Sequence, residues 1–168
     1  MCAAMLAACS AAATDEQGGR VRDGAGILSP ETEVQLTMKL DRAEAAFGPQ
    51  LAVVTVDSLE GLTIEDFSIK YARAWGLGDP DRNDGLMVLV APNERRVRIE
   101  VGRGIEDSFT DLFCAEVIES AFLPSFRSGE FDAGLTAGID LLVERMQQYP
   151  TIPANDNLPN TNEFREAA

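Results

Sequence analysis

Apolar residues recur along this chain with two periods. Leu36, Leu40, Ala43 and Phe47 fall four, three and four apart, which is one face of a helix. Ser29-Pro30-Glu31 supplies its start, with a hydroxyl cap, a proline at the first position and an acid in the first turn; Gly48-Pro49 stops it. The β-branched run 50–57 then reads as a buried strand. Thr63 with Asp66 three residues on opens a second helix, whose apolar face is Ile64, Phe67, Tyr71 and Trp75 and whose end is Gly76. Residues 85–91, GLMVLVA, form another buried strand. After the turn Pro92-Asn93-Glu94, residues 95–101 alternate: Val97, Ile99 and Val101 on one side, Arg96, Arg98 and Glu100 on the other. The spacing predicts a helix over 108–122 that stops before Pro124. A last helix covers 132–148, with Leu135, Ile139, Leu142 and Met146 toward the core.

Helices alternating with strands predict an α/β fold, a three-layer αβα sandwich around a small mixed β-sheet. Strands 50–57 and 85–91, joined through a helix, are expected to be parallel; strand 95–101 turns back antiparallel. With 168 residues and 45% hydrophobic content, the core suits one domain, placed at 20–149. It is flanked by a leader at 1–19 and a polar, Pro- and Asn-rich tail at 150–168.

The leader carries its own expectation. Residues 1–13 are small, apolar and uncharged, the composition of a secretory signal. Leu6-Ala7-Ala8-Cys9 resembles the bacterial lipobox, in which the cysteine is acylated. A basic n-region is missing and the apolar stretch is short, as a start codon placed too far downstream would explain. The resemblance implies export to the bacterial cell envelope and a lipid anchor on Cys9. Cys114, in an apolar helical pattern, reads as a small buried hydrophobe rather than a nucleophile.

Charge narrows the chemistry. Fourteen basic against 28 acidic residues give a net charge of −14, and histidine is absent. That excludes Ser-His-Asp catalysis, imidazole metal sites and electrostatic binding of nucleic acid. Carboxylates remain, and cations are their partners. The predicted topology brings loops 78–85 and 102–107 to the same sheet end. Asp79, Asp81 and Asp84 would there face Glu106, Asp107 and Asp111, while Asp57 falls at the opposite end. Such a rim suits Ca²⁺ or Mg²⁺, against the alternative that these are solvated turn residues. Asp79-x-Asp81-x-Asn83 is not a helix-loop-helix calcium loop, since its glycine comes one residue late. Arg95, Arg96, Arg98 and Arg103 read either as a solvated strand face or, for Arg95 and Arg98, as an anion contact beside the rim.

Four stretches in order resemble the TPM domain family. They are Asp23 to Ser29; Trp75-Gly76-Leu77-Gly78 with Asn83-Asp84-Gly85; Arg95 to Gly102 running into Gly104-Ile105-Glu106; and Pro124-Ser125-Phe126 with Gly129-Glu130-Phe131 and Gly134-Leu135. The likeness spans residues 21–146. It implies an αβα sandwich in an exported or membrane-tethered protein. Family members include a thylakoid-lumen acid phosphatase linked to photosystem repair and animal modulators of acetylcholine receptors. Calcium is associated with the family's acidic cleft, and by position the implied ligands here are Asp23, Asp84, Glu106 and Asp107. An extended segment 21–28, about 25 Å long, would have to bring Asp23 to the rim. Bacterial relatives often continue into a transmembrane helix, whereas this chain ends in the polar tail, which leaves anchoring to Cys9.

Two functions follow from the resemblance. One is a cation-binding accessory module for assembling or maintaining an envelope membrane complex. The other is a metal-dependent phosphatase of phosphomonoesters, with Arg95 or Arg98 neutralising phosphate. Ser29 is explained as a helix cap and no Asp-x-Asp-x-Thr motif occurs, so the binding module is favoured. The oligomeric state is not legible.

Overall fold

In the computed structural model, which describes residues 19–152, the Ser29 hydroxyl accepts a hydrogen bond from the Thr32 N–H and opens helix α1 (Pro30–Phe47). Its buried residues are Leu36, Leu40, Ala43 and Phe47, the face that the spacing predicts. Strand β2 (Gln50–Thr55) follows, then α2 (Ile64–Trp75), capped by Thr63 and ended by Gly76 in a left-handed conformation. Strand β3 (Gly85–Ala91) is buried throughout, and β4 (Arg96–Val101) returns beside it. A short first strand, β1 (Val21–Asp23), was not foreseen as one. Three residues leave no periodicity to read.

The sheet order is β1-β2-β3-β4, with the first two pairings parallel and the last antiparallel. Leu51, Val53, Leu86, Val88, Val90 and Ile99 point to one face, where α1 and the C-terminal helices cover them. Val54, Met87, Leu89 and Ala91 point to the other, under α2. The mixed three-layer sandwich is therefore present. Trp75 packs against this second core, and the Arg22 guanidinium stacks 3.6 Å from its ring centroid.

The C-terminal helices depart from expectation at one point. Helix α3 (Asp111–Val117) does not stop before Pro124 but passes through a π-turn (Ile118–Phe122) into α4 (Leu123–Arg127). Leu123 N–H bonds to the Ile118 carbonyl, five residues back. Pro124 has no N–H, and its ring would strike the carbonyl four residues earlier in an ordinary turn. The widened turn makes room for it. Helix α5 (Phe131–Gln148) buries Leu135, Ile139, Leu142 and Met146 completely. Each such side chain contributes about 1.5–3 kcal/mol. Gly138 lets the Phe122 ring approach so closely that a Cβ would lie 1.9 Å from it.

Candidate functional site

The register sorts the candidate residues into two ends of the sheet. Gln50 pairs with Gly85 and Leu86 with Val101, so these mark one end; Asp23 pairs with Thr55 and Thr55 with Val90, marking the other. Loops 78–85 and 102–107 emerge together at the first end, as expected. Gly104 N–H donates to the Asn83 carbonyl (3.0 Å) and Gly102 N–H to the Gly85 carbonyl (2.7 Å).

Their carboxylates do not form an open rim. Asp84 is fully buried and accepts from Arg82 Nε (2.7 Å), the Asp79 N–H (2.9 Å) and the Thr151 hydroxyl (2.9 Å). Burial pushes its pKa up, but the Arg82 hydrogen bond, those from Asp79 and Thr151 and the Arg82 charge outweigh burial, so the net shift is downward. Asp79 accepts from the N–H groups of Asp81 (2.9 Å) and Arg82 (3.0 Å) and pairs with the Arg82 guanidinium at 3.2 Å. This half of the rim is an internally hydrogen-bonded cap in which Arg82 offsets one of the two charges of Asp79 and Asp84. Asp81, Glu106, Asp107 and Asp111 are exposed.

Asp23 lies at the opposite end, about 17 Å away along the strands. There it accepts from the N–H groups of Ile27 (3.2 Å) and Leu28 (2.9 Å) and from the Thr55 hydroxyl, which fixes the turn into α1. The expectation that segment 21–28 carries Asp23 to the rim is thus corrected: parallel pairing of β1 with β2 fixes its end. Asp23, Asp84, Glu106 and Asp107 do not fit a single ion. Among the described residues, no group of three or more His, Cys, Asp or Glu side chains is gathered to hold one.

The arginines are also placed otherwise. Arg95 lies in the β3–β4 turn, at the far end from the rim, in a left-handed conformation (φ 54°). Arg98 bonds to the Glu100 carboxylate (2.9 Å) and to the Ser68 hydroxyl (3.1 Å), beneath α2. Arg98 is partly buried and Arg96 on the same strand face is exposed; Arg95 stands away from the acidic rim, whereas Arg98 lines one groove with Glu106 and Asp111.

What the sequence reading missed is the free edge of β4. The Gly102–Gly85 bond identifies a hydrogen-bonded pair, so alternation turns the backbone groups of residues 96, 98 and 100 toward β3. The N–H and C=O groups of Val97, Ile99 and Val101 face outward, and no described residue bonds to them. This edge forms the floor of a groove of about 780 Å³ between Ile64 and Glu65 of α2 and the α3 wall of Thr110, Asp111 and Cys114. Glu106 and Asp111 line it at the loop end. The Cys114 thiol lies in that wall, pushed up to about 11 by burial, and is no thiolate at neutral pH. One signal was available: 95–101 is the last strand that the sequence pattern predicts.

The pattern of the TPM domain matches residues 21–145. The chain belongs to the TPM-domain family. This TPM domain also resembles solved structures. The N-terminal domain of a protein from P. gingivalis is 35% identical, with 77% of this chain and 82% of that one covered and a TM-score of 0.70. The BA42 protein of the psychrophilic bacterium Bizionia argentinensis is 22% identical, with 80% and 92% covered and a TM-score of 0.66, a likeness of fold. The N-terminal domain of the cg2496 protein of Corynebacterium glutamicum shares the fold at 17% identity, with 89% and 95% covered and a TM-score of 0.62. No functionally curated protein matches the chain. Among the described residues of the TPM domain, no helix is long and apolar enough to cross a membrane.

Proposed function

We propose that this TPM domain is a binding module that receives an extended, basic segment of a partner polypeptide as an added strand on β4. The observation that carries this reading is the recessed β4 edge, with the outward backbone groups of Val97, Ile99 and Val101 on the floor of the groove. Strand addition satisfies such groups, and the flanking walls select side chains. A basic segment is favoured because Glu106 and Asp111, which line the groove, make no ion pair or side-chain hydrogen bond with a described residue. The recess between α2 and α3 suits a single strand, whereas a second copy would bring its own helices against these walls. For the phosphatase reading, Arg95 stands at the opposite end of the hairpin from the acidic rim, while Arg98 lines the same groove as Glu106 and Asp111 but is engaged by Glu100 and Ser68.

The test is a titration of the isotope-labelled full chain with the peptide Lys-Val-Lys-Val-Thr-Val-Phe, followed by amide resonances. Saturable shifts at Val97, Ile99 and Val101 are expected. Val101→Pro removes an outward N–H without removing a β3 ladder bond, so it should weaken binding about tenfold; because Val101 also packs on the core, a melting curve showing the variant still folded is the control. Shifts that never saturate, or full affinity in the proline variant, would sink the reading.

A divalent cation is a second reading of the acidic end. Glu106 and Asp111 line one groove and are unpaired among the described residues, and Mg²⁺ commonly takes one or two carboxylates while keeping its waters. Millimolar Ca²⁺ or Mg²⁺ would then compete with the lysine end of the same peptide. The partner in this proposal belongs to an envelope membrane complex, and the domain is tethered near it through an acylated Cys9, which lies outside the described residues. Mass spectrometry of the membrane fraction should find lipid on Cys9. A soluble product beginning near Ala13 would refute the tether.

A further inference from the structure

We infer that the docked strand enters by its own free C-terminus, with its carboxylate and an apolar last side chain seated where the β3–β4 turn faces α4. This rests on the strand-docking reading and adds a direction and a chemical end group to it. The observation is a second cavity, of about 800 Å³, that shares Arg96 and Val97 with the β4 groove and so continues it. Its apolar lining comes from Val90, Val97, Leu123, Phe126 and Phe131. Arg95, Arg96 and Arg127 stand around that lining.

None of the three arginines makes an ion pair or a side-chain hydrogen bond with a described residue. In a chain with a net charge of −14, Arg95 and Arg127, unpaired among the described residues at the rim of one apolar cavity, call for an anion attached to an apolar group. Glu94, the acid of the same turn, accepts from the Leu59 N–H (2.9 Å) and is thereby engaged elsewhere. A peptide C-terminus offers that combination in one residue: a carboxylate for an arginine fork and a side chain for the aromatic lining.

Polarity then sets direction. The joined groove is basic at the Arg95 end and acidic at the Glu106 and Asp111 end. β4 runs from the basic end to the acidic one, from Arg96 to Val101. A ligand with its C-terminus among the arginines therefore runs antiparallel to β4, and a lysine four to six residues earlier reaches Glu106 and Asp111, since Val97 and Val101 are about 14 Å apart.

The experiment compares the free-acid peptide Lys-Val-Lys-Val-Thr-Val-Phe with its C-terminal amide on the full chain, by calorimetry. Amidation should weaken binding tenfold or more. Arg127→Gln should cost the free acid a similar factor and the amide almost nothing. Arg127 is exposed, so an unchanged melting curve for the variant is the control for folding. Equal affinity of acid and amide, or equal loss for both in Arg127→Gln, would overturn the carboxylate seat while leaving strand docking intact. Failure of both peptides to bind would overturn both.

Discussion

Asp84→Ala is expected to destabilise the domain by about 2–3 kcal/mol, which lowers the melting temperature by roughly 8–12 °C. The carboxylate is fully buried and receives the Asp79 N–H and the Thr151 hydroxyl besides Arg82. Alanine leaves those two donors without an acceptor. Arg82, more than a third exposed, turns to solvent and adds little to the loss. The pH dependence follows from the lowered pKa of Asp84. Because the folded value lies below the unfolded one near 4, the stabilisation is complete above about pH 4 and fades as pH falls through the folded value. Thermal melts from pH 7 to pH 2 should show the gap between wild type and Asp84→Ala narrowing only below that point. A gap that is small at pH 7, or constant down to pH 2, would contradict this account.

A second large effect is expected at Gly104. A Cβ built there would lie 1.7 Å from the Arg82 carbonyl oxygen, a backbone atom with no rotamer to yield. Gly104→Ala must push loop 102–107 off loop 78–85 and break the bond from the Gly104 N–H to the Asn83 carbonyl. A loss of about 3 kcal/mol or more is expected, read as a fall in melting temperature and as faster exchange of the Gly104 amide. Because Glu106 rides on this loop, the variant should also weaken the lysine-bearing peptide while sparing the free-carboxylate end. A melting temperature within about 2 °C of wild type would show that the loops are not so tightly apposed.

The two predictions concern residues that the sequence brought forward for another reason. Asp84 stands among six acids whose loops the topology places at one sheet end, and the loops do meet there. Which carboxylates turn inward was not legible. Asp81 and Asp84 are alike in composition and context, yet one is exposed and the other holds three donors. One of those donors, Thr151, comes from 67 residues away. Asp23 is the same lesson in another place, because its sheet end is fixed by the pairing of β1 with β2, a contact across about thirty residues.

By itself the sequence determined three of the four strands, the helices before β4 and the last helix, the mixed character of the sheet and the family. These are set by short-range periodicity and by caps such as Ser29 and Thr63, which act within a turn or two. Tertiary structure decided the rest: the π-turn that carries a helix through Pro124, the hydrogen-bonded cap around Asp84, and the unpaired edge of β4. It alone also brought Arg95 and Arg96 together with Arg127, about thirty residues further along, at one cavity. An edge is defined by what fails to pair with it, and a cavity by walls from distant segments. Neither is a property of any local stretch of chain.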